Sequence, residues 1–117
     1  IDRENVAEEL ESMGRSEQRE LGNRLAVLLA HLLKWRLQSR KRSRSWLDTI
    51  VEQRVQLVKL LEDSPSLKHG LDERIRQAYD TAVDIASKET KLAKTFFPEE
   101  CPFSSAQILD ENFLGDA

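Results

Sequence analysis

Cysteine, proline and glycine are all scarce in this chain of 117 residues: one, three and four respectively, with aromatic side chains at 6%. The lone cysteine, Cys101, has no partner within the chain. An intramolecular disulfide framework is therefore excluded, and a reducing compartment fits. So few prolines and glycines, in a chain dominated by Leu, Ala, Glu, Lys, Arg and Gln, favour an all-α fold built from strong helix formers. Long apolar runs are also missing. The longest, Leu25 to Leu33, is about half of the roughly 20 residues needed to span a bilayer. No signal peptide is visible, so a cytoplasmic protein with no membrane association is expected. The missing motifs are equally informative. There is no HExxH, no ExxH, no Cys/His pairing at ligand spacing, no phosphate-cradling glycine loop and no supported Ser-His-Asp arrangement. No metal and no cofactor are expected, and the reading leans away from an enzyme.

What is present is helix. From Leu25 to Leu33 every residue is apolar except His31, whereas a surface helix shows only one apolar stripe. This predicts a central helix, about 17–38, around which three to five helices pack as a compact bundle. Upstream, Val6, Leu10 and Met13 form an apolar line that differs by one residue from the line Leu21-Leu25-Leu28-Leu32-Trp35. A continuous helix absorbs that offset as drift, so one long helix through Gly14 is favoured over a break there. Glu20 and Arg24 add an i,i+4 pair. A second helix is expected from about Trp46 to Glu62, opened by a capping-box-like Ser45-x-x-Asp48. Its wide apolar face includes Ile50, Val51, Val55, Leu57, Val58 and Leu61. Asp63-Ser64-Pro65 closes it and restarts the chain. The 3–4 spacing from Leu67 through Ala78 and Ala82 to Phe96 then predicts a long helix ended by Phe96-Phe97-Pro98. Asp72/Arg76 and Asp84/Lys88 are expected pairs on its outer face. Ser104-x-x-Gln107 is a second capping box, starting a short helix near Ala106 to Leu109.

A single helical domain, 1–117, follows from the length. Within it, 39–45 reads as a basic interhelical loop and 97–117 as an irregular acidic tail with one short helix. The chain begins at Ile1 rather than Met, so an N-terminal segment is expected to be missing.

Several strings, in order, carry a resemblance: Val6-Ala-Glu-Glu-Leu-Glu-Ser-Met-Gly-Arg-Ser-Glu17, His31-Leu-Leu-Lys-Trp35, Ser43-Arg-Ser-Trp46, Leu60-Leu-Glu-Asp-Ser-Pro-Ser-Leu67, Phe97-Pro-Glu-Glu-Cys-Pro-Phe103 and Ile108-Leu-Asp110. Together they resemble the family called domain of unknown function twenty-nine, an all-helical bacterial family known mostly from cyanobacteria. The resemblance covers nearly the whole chain. Members more often have Trp at the position of Phe103 and Glu at that of Gly22. It implies an all-helical fold and a further N-terminal helical segment. It implies no activity and carries no catalytic residues.

Four constellations are candidates for function. The first is the basic stretch Arg36, Arg40, Lys41, Arg42 and Arg44 with its flanking Trp35 and Trp46: arginines neutralise phosphates and tryptophans stack on bases. Its plainer reading is a solvated loop whose arginines pair with the acidic tail. A net charge of −3 and a pI near 5.5 argue against a dedicated nucleic-acid binder. The second is His31, a candidate general base or metal ligand. In the plainer reading it bonds a carboxylate of a neighbouring helix, such as Glu9 or Asp84. The third is Cys101, whose neighbours Glu99 and Glu100 oppose a reactive thiolate. The fourth is the carboxylate set Glu8, Glu9, Glu11, Asp80 and Asp84, which reads first as a solvated face. The expected function is a non-enzymatic interaction module with a protein partner or a homo-oligomer. Nucleic-acid contact through Arg36–Trp46 is the alternative, and an enzyme or metal site at His31 a second one.

Overall fold

The computed structural model describes the backbone of residues 3–115 and the side chains of residues 14–115. Among these described residues four α-helices follow one another: α1 (Arg3–Leu37), α2 (Arg44–Asp63), α3 (Leu71–Thr90) and α4 (Ser105–Leu109). Short 3₁₀ turns lie between them at Ser39–Lys41, Pro65–Lys68 and Lys94–Phe96. The all-α bundle expected from the periodicity is what the chain forms. α1 runs unbroken through Gly14. At 35 residues it is about 52 Å long, against about 30 Å for a helix of 20 residues such as α2 or α3.

The apolar girdle of α1 is used on more than one side, because both α2 and α3 pack along it. Leu21, Leu25, Leu28, Leu29, Leu32 and Leu33 are each at most 1% exposed. Ile50, Leu57 and Leu61 of α2 close the core on one side, and Ile75, Ala78, Ala82 and Ala86 of α3 on another. The small side chains of α3 bring its backbone close to α1. α4 contributes Ile108, fully buried, and touches both α2 and α3.

Several boundaries differ from expectation. α2 starts at Arg44, capped by Ser43 rather than Ser45, with the Ser43 hydroxyl accepting from the Trp46 amide. The predicted long third helix is interrupted twice. Gly70 takes a left-handed conformation (φ 73°) and separates the 3₁₀ turn from α3. Lys91, also left-handed (φ 62°), ends α3 well before Pro98. The second stop falls where Glu89 breaks the apolar line, and Thr90 turns its hydroxyl back onto the Ala86 carbonyl at 2.6 Å. The expected outer-face pairs also change partner. Arg76 binds Glu73, whose longer side chain reaches the guanidinium. Asp84 pairs with Lys94 at 2.6 Å, because the chain folds back beside α3 after Lys91. The Glu20–Arg24 pair forms as expected, at 3.0 Å. So does the capping box at Ser104 and Gln107, with both reciprocal bonds present.

Several contacts order the segment after α3. The Tyr79 hydroxyl donates to the Pro98 carbonyl at 2.6 Å. Phe103 and Phe113 meet edge to face, 5.6 Å between centroids. Gly115 (φ 91°) lies so close to α1 that a Cβ there would stand 2.8 Å from the Leu32 carbonyl oxygen. Only glycine meets both demands, the left-handed backbone and the close approach.

Candidate functional site

The basic loop is organised by its own aromatics. Trp35 lies half-buried in the last turn of α1, and Trp46 half-buried in the first turn of α2. Arg42 folds back over the loop. Its Nε donates to the Trp35 carbonyl at 2.8 Å, and its guanidinium stacks 4.9 Å from the Trp35 ring centre. The Lys34 ammonium sits 4.8 Å from the Trp46 ring centre. Each indole thus already faces a cation of its own chain, an attraction worth more when the cation is desolvated. The Trp35 Nε1 is buried with no hydrogen-bond partner among the described residues. Arg36, Arg40, Lys41 and Arg44 project into solvent, and Arg44 pairs with Asp48 at 3.7 Å within α2. The C-terminal tail is held by an arginine of α2, through carbonyls.

That residue is Arg54, which no sequence motif marks. It is 3% exposed. Its Nε donates to the Ile108 carbonyl at 2.8 Å and its Nη2 to the Phe113 carbonyl at 2.7 Å, while Nη1 is buried without a partner among the described residues. Lys34 was missed as well: it is 5% exposed and paired with Glu89 of α3 at 2.5 Å. Both have the same sequence signature. A cation stands where an apolar line calls for an apolar residue, Ile50-Arg54-Leu57-Leu61 in one case and Ala30-Lys34 in the other.

His31 is half-buried, and among the described residues it bonds no carboxylate. Its Nδ1 lies 2.8 Å from the Val27 carbonyl one turn back. For this bond to form Nδ1 must carry the proton, which leaves Nε2 as the acceptor nitrogen. Asp84 is engaged by Lys94, and the Glu9 side chain lies outside the described residues. Burial lowers the His31 pKa from the ordinary 6.5, and Lys34 acts in the same direction, against the Val27 bond and Glu89. The unfolded chain therefore takes up the proton first as pH falls. The resulting stability is fully present above about 6.5 and is lost as pH drops through that value toward the folded one. Urea midpoints should fall between about pH 7.5 and 5.5, and His31→Leu should flatten that part of the profile. An unchanged slope in the variant would assign the titration to another group.

Cys101 is half-buried, with its Sγ 3.5 Å from the Phe103 carbonyl. Burial pushes its thiol up, the opposite of what a nucleophile needs. It lines a cavity of about 680 Å³ together with Asp72, Arg76, Tyr79, Asp80 and Glu100. Burial, with Cys101 beside it, pushes Tyr79 up to about 12. Asp80 and Asp84 are exposed; the side chains of Glu8, Glu9 and Glu11 lie outside the described residues. Among the described residues no three His, Cys, Asp or Glu side chains are grouped to hold a metal ion, and no helix is long and apolar enough to cross a membrane.

The remaining feature is the outer face of α2. Its wide apolar face is only partly consumed by the core. Val51 and Val55 remain 50% and 55% exposed. With Val58, Lys59, Glu62, Leu109 and Glu111 they line a groove of about 470 Å³, floored by Arg54. Leu37 and Phe96 are also exposed, but as single residues of the kind any surface carries.

Among known proteins the chain matches a family model, the one described as "Domain of unknown function DUF29", over residues 1–114. Neither a curated protein nor a solved structure matches the chain.

Proposed function

We propose that this chain, which belongs to the DUF29 family, is a non-enzymatic helical interaction module that docks through the outer face of α2. The observation that carries this reading is the pair Val51 and Val55, one turn apart and half-exposed, on the wall of the α2 groove. β-Branched residues are poor choices for an exposed helix face, where they lose side-chain freedom and gain no packing. A contiguous apolar strip with a polar rim is the ordinary mark of an association surface. Here the rim is Lys59, Glu62 and Glu111.

A photoreactive benzoylphenylalanine at position 55 tests it in cells that make the protein at its native level. An adduct of defined mass is expected from position 55 and not from position 88, on the outer face of α3. The absence of a position-specific adduct would remove the reading.

A second reading, contact with nucleic acid through Arg36–Trp46, is favoured by the exposure of Arg36, Arg40 and Lys41. It is weakened by the cations already placed over both indoles. Anisotropy of labelled single-stranded and duplex oligonucleotides at about 50 and 200 mM salt separates it from the first. Steeply salt-dependent binding, lost on charge reversal of Arg40, Lys41 and Arg42, would favour the basic loop. No binding at the lower salt would dismiss it.

A further inference from the structure

The exposed residues along α2 have an order that selects a partner. From the N-terminal end, one seam of outward positions is Arg44, Asp48, Val51, Val55, Lys59 and Glu62, all exposed, with Ser45, Glu52 and Asp63, exposed as well, along one flank of it. Their steps of four, three, four, four and three residues keep them on one seam of the helix. The seam reads basic, acidic, apolar, apolar, basic, acidic. Reversed, it reads acidic, basic, apolar, apolar, acidic, basic. Laid antiparallel on itself, it sets Arg44 against Glu62, Asp48 against Lys59 and Val51 against Val55, and then repeats each pairing through the twofold axis. Laid parallel, it sets every charge against its like.

We propose that the partner of the α2 face is a second copy of this chain, bound antiparallel about a twofold axis between Val51 and Val55. This rests on the reading of α2 as a docking face and goes beyond it by naming the occupant. An isologous interface must be complementary to itself, and this seam is, in both charge and apolar position. No other order of its two charge pairs would be more favourable in the antiparallel arrangement. The Arg44–Asp48 contact within one chain, long at 3.7 Å and fully at the surface, is replaced by contacts between chains at little cost. The valines supply the dry centre, and the charged pairs form the rim that fixes direction and register. The groove wall formed by Leu109 and Glu111 flanks the same seam, so the incoming helix meets α4 as well as α2. From Arg44 to Glu62 the seam is about 27 Å long. That places the contact at the small end of specific interfaces.

Charge reversal tests the register. Sedimentation equilibrium from about 5 to 500 μM is expected to show a monomer–dimer equilibrium in the native chain. Asp48→Lys and Lys59→Glu each turn two attractive pairs into repulsive ones, and each is expected to weaken the dimer about tenfold. Lys59→Glu leaves the Arg44–Asp48 contact in place, so its effect is not a consequence of losing that pair. Mixing the two variants sets the lysine introduced at position 48 against the glutamate introduced at position 59. The other pair of that mixed dimer is the native Asp48 with the native Lys59, so mixing should restore the native dissociation constant. So should the double variant, in which the pairs are exchanged. In a parallel dimer each single reversal would exchange one like-charge pair for another without weakening the dimer, and mixing the two variants would tighten it beyond the native one. Carbodiimide should also link Asp48 to Lys59. Within one chain these residues are about 16 Å apart along the helix, beyond a zero-length link, so the product reports the contact between chains. Circular dichroism of each variant checks that the helices persist.

A monomer at every concentration would overturn the proposal, as would a dimer indifferent to both reversals. The adduct from position 55 distinguishes this failure from that of the underlying reading. An adduct of twice the chain mass supports both. An adduct to a different polypeptide retains the docking face and overturns the second copy as its occupant. The absence of any adduct overturns both.

Discussion

Replacing Arg54 by leucine is expected to lower the unfolding free energy by about 3 kcal/mol, from the cost of leaving buried carbonyls unsatisfied and losing charge-assisted bonds. The guanidinium bonds two carbonyls, those of Ile108 and Phe113, on either side of the last turn of the chain. Ile108 is fully buried, so its carbonyl has little access to replacement water. Burial depresses the Arg54 pKa, with Asp110 opposing, yet an arginine stays charged at any pH a protein survives. The residue therefore acts as a permanent double donor. Leucine fills part of its volume and bonds neither carbonyl. Arg54→Lys keeps the charge but not the planar fork, and should lose less. Urea unfolding gives the magnitude, and amide exchange across residues 105–115 gives the location, since protection there should collapse first. A loss below about 1 kcal/mol with that protection intact would mean that the apolar contacts of Phe103, Ile108 and Phe113 suffice to hold the tail.

The Lys34–Glu89 pair should respond asymmetrically. The lysine side chain is 6% exposed and the glutamate 49%. Glu89→Ala leaves a buried ammonium with only the Trp46 ring for company. Removing one partner of a fully buried pair costs about 3–5 kcal/mol; with Glu89 half in water, about 2 kcal/mol is expected. Lys34→Met leaves a half-exposed carboxylate that water solvates, and places an apolar chain where the aliphatic stem already packs. It should fall within about 1 kcal/mol of the native chain, in either direction. Urea unfolding of both variants near neutral pH is the measurement. Equal losses would show that the ammonium itself, rather than the burial of its stem, is what α1 and α3 need.

Helix type and core were legible in the chain because they follow from periodicity. Leu21 to Leu33 could be buried only by a helix with neighbours on several sides, and Ser104-x-x-Gln107 could be read as a cap because both of its bonds are local. What was not legible depends on chain direction after a turn. Lys94 reaches Asp84 only because Lys91 adopts a left-handed conformation and reverses the path, and nothing in the pattern around Lys91 marks that. Gly70 was visible as a glycine, but the apolar line from Leu67 to Leu71 ran through it undisturbed. Arg54 and Lys34 broke their apolar lines, which is a signal. Its meaning lies in partners 54 and 55 positions away, beyond the reach of any spacing rule. The α2 face was read as wide, but which part of that width the core would use was decided by where α1 and α4 came to lie. Only then do Val51 and Val55 become surface.

The tail is fastened to residues made long before it. Arg54 waits for Ile108 and Phe113, and Leu32 waits for Gly115. At a synthesis rate of roughly 5–20 residues per second, about 3 to 12 s separate the emergence of Arg54 from that of Gly115. Once α3 is complete at Thr90, about 1 to 5 s remain in which α1, α2 and α3 can assemble while Arg54 holds no carbonyl and the site of Ile108 stands open. A nascent chain in this state presents a wet, charged notch beside an apolar strip, and any early self-association would have to precede the closing of that notch. The order of synthesis thus leaves Arg54 undocked until Phe113 has been made.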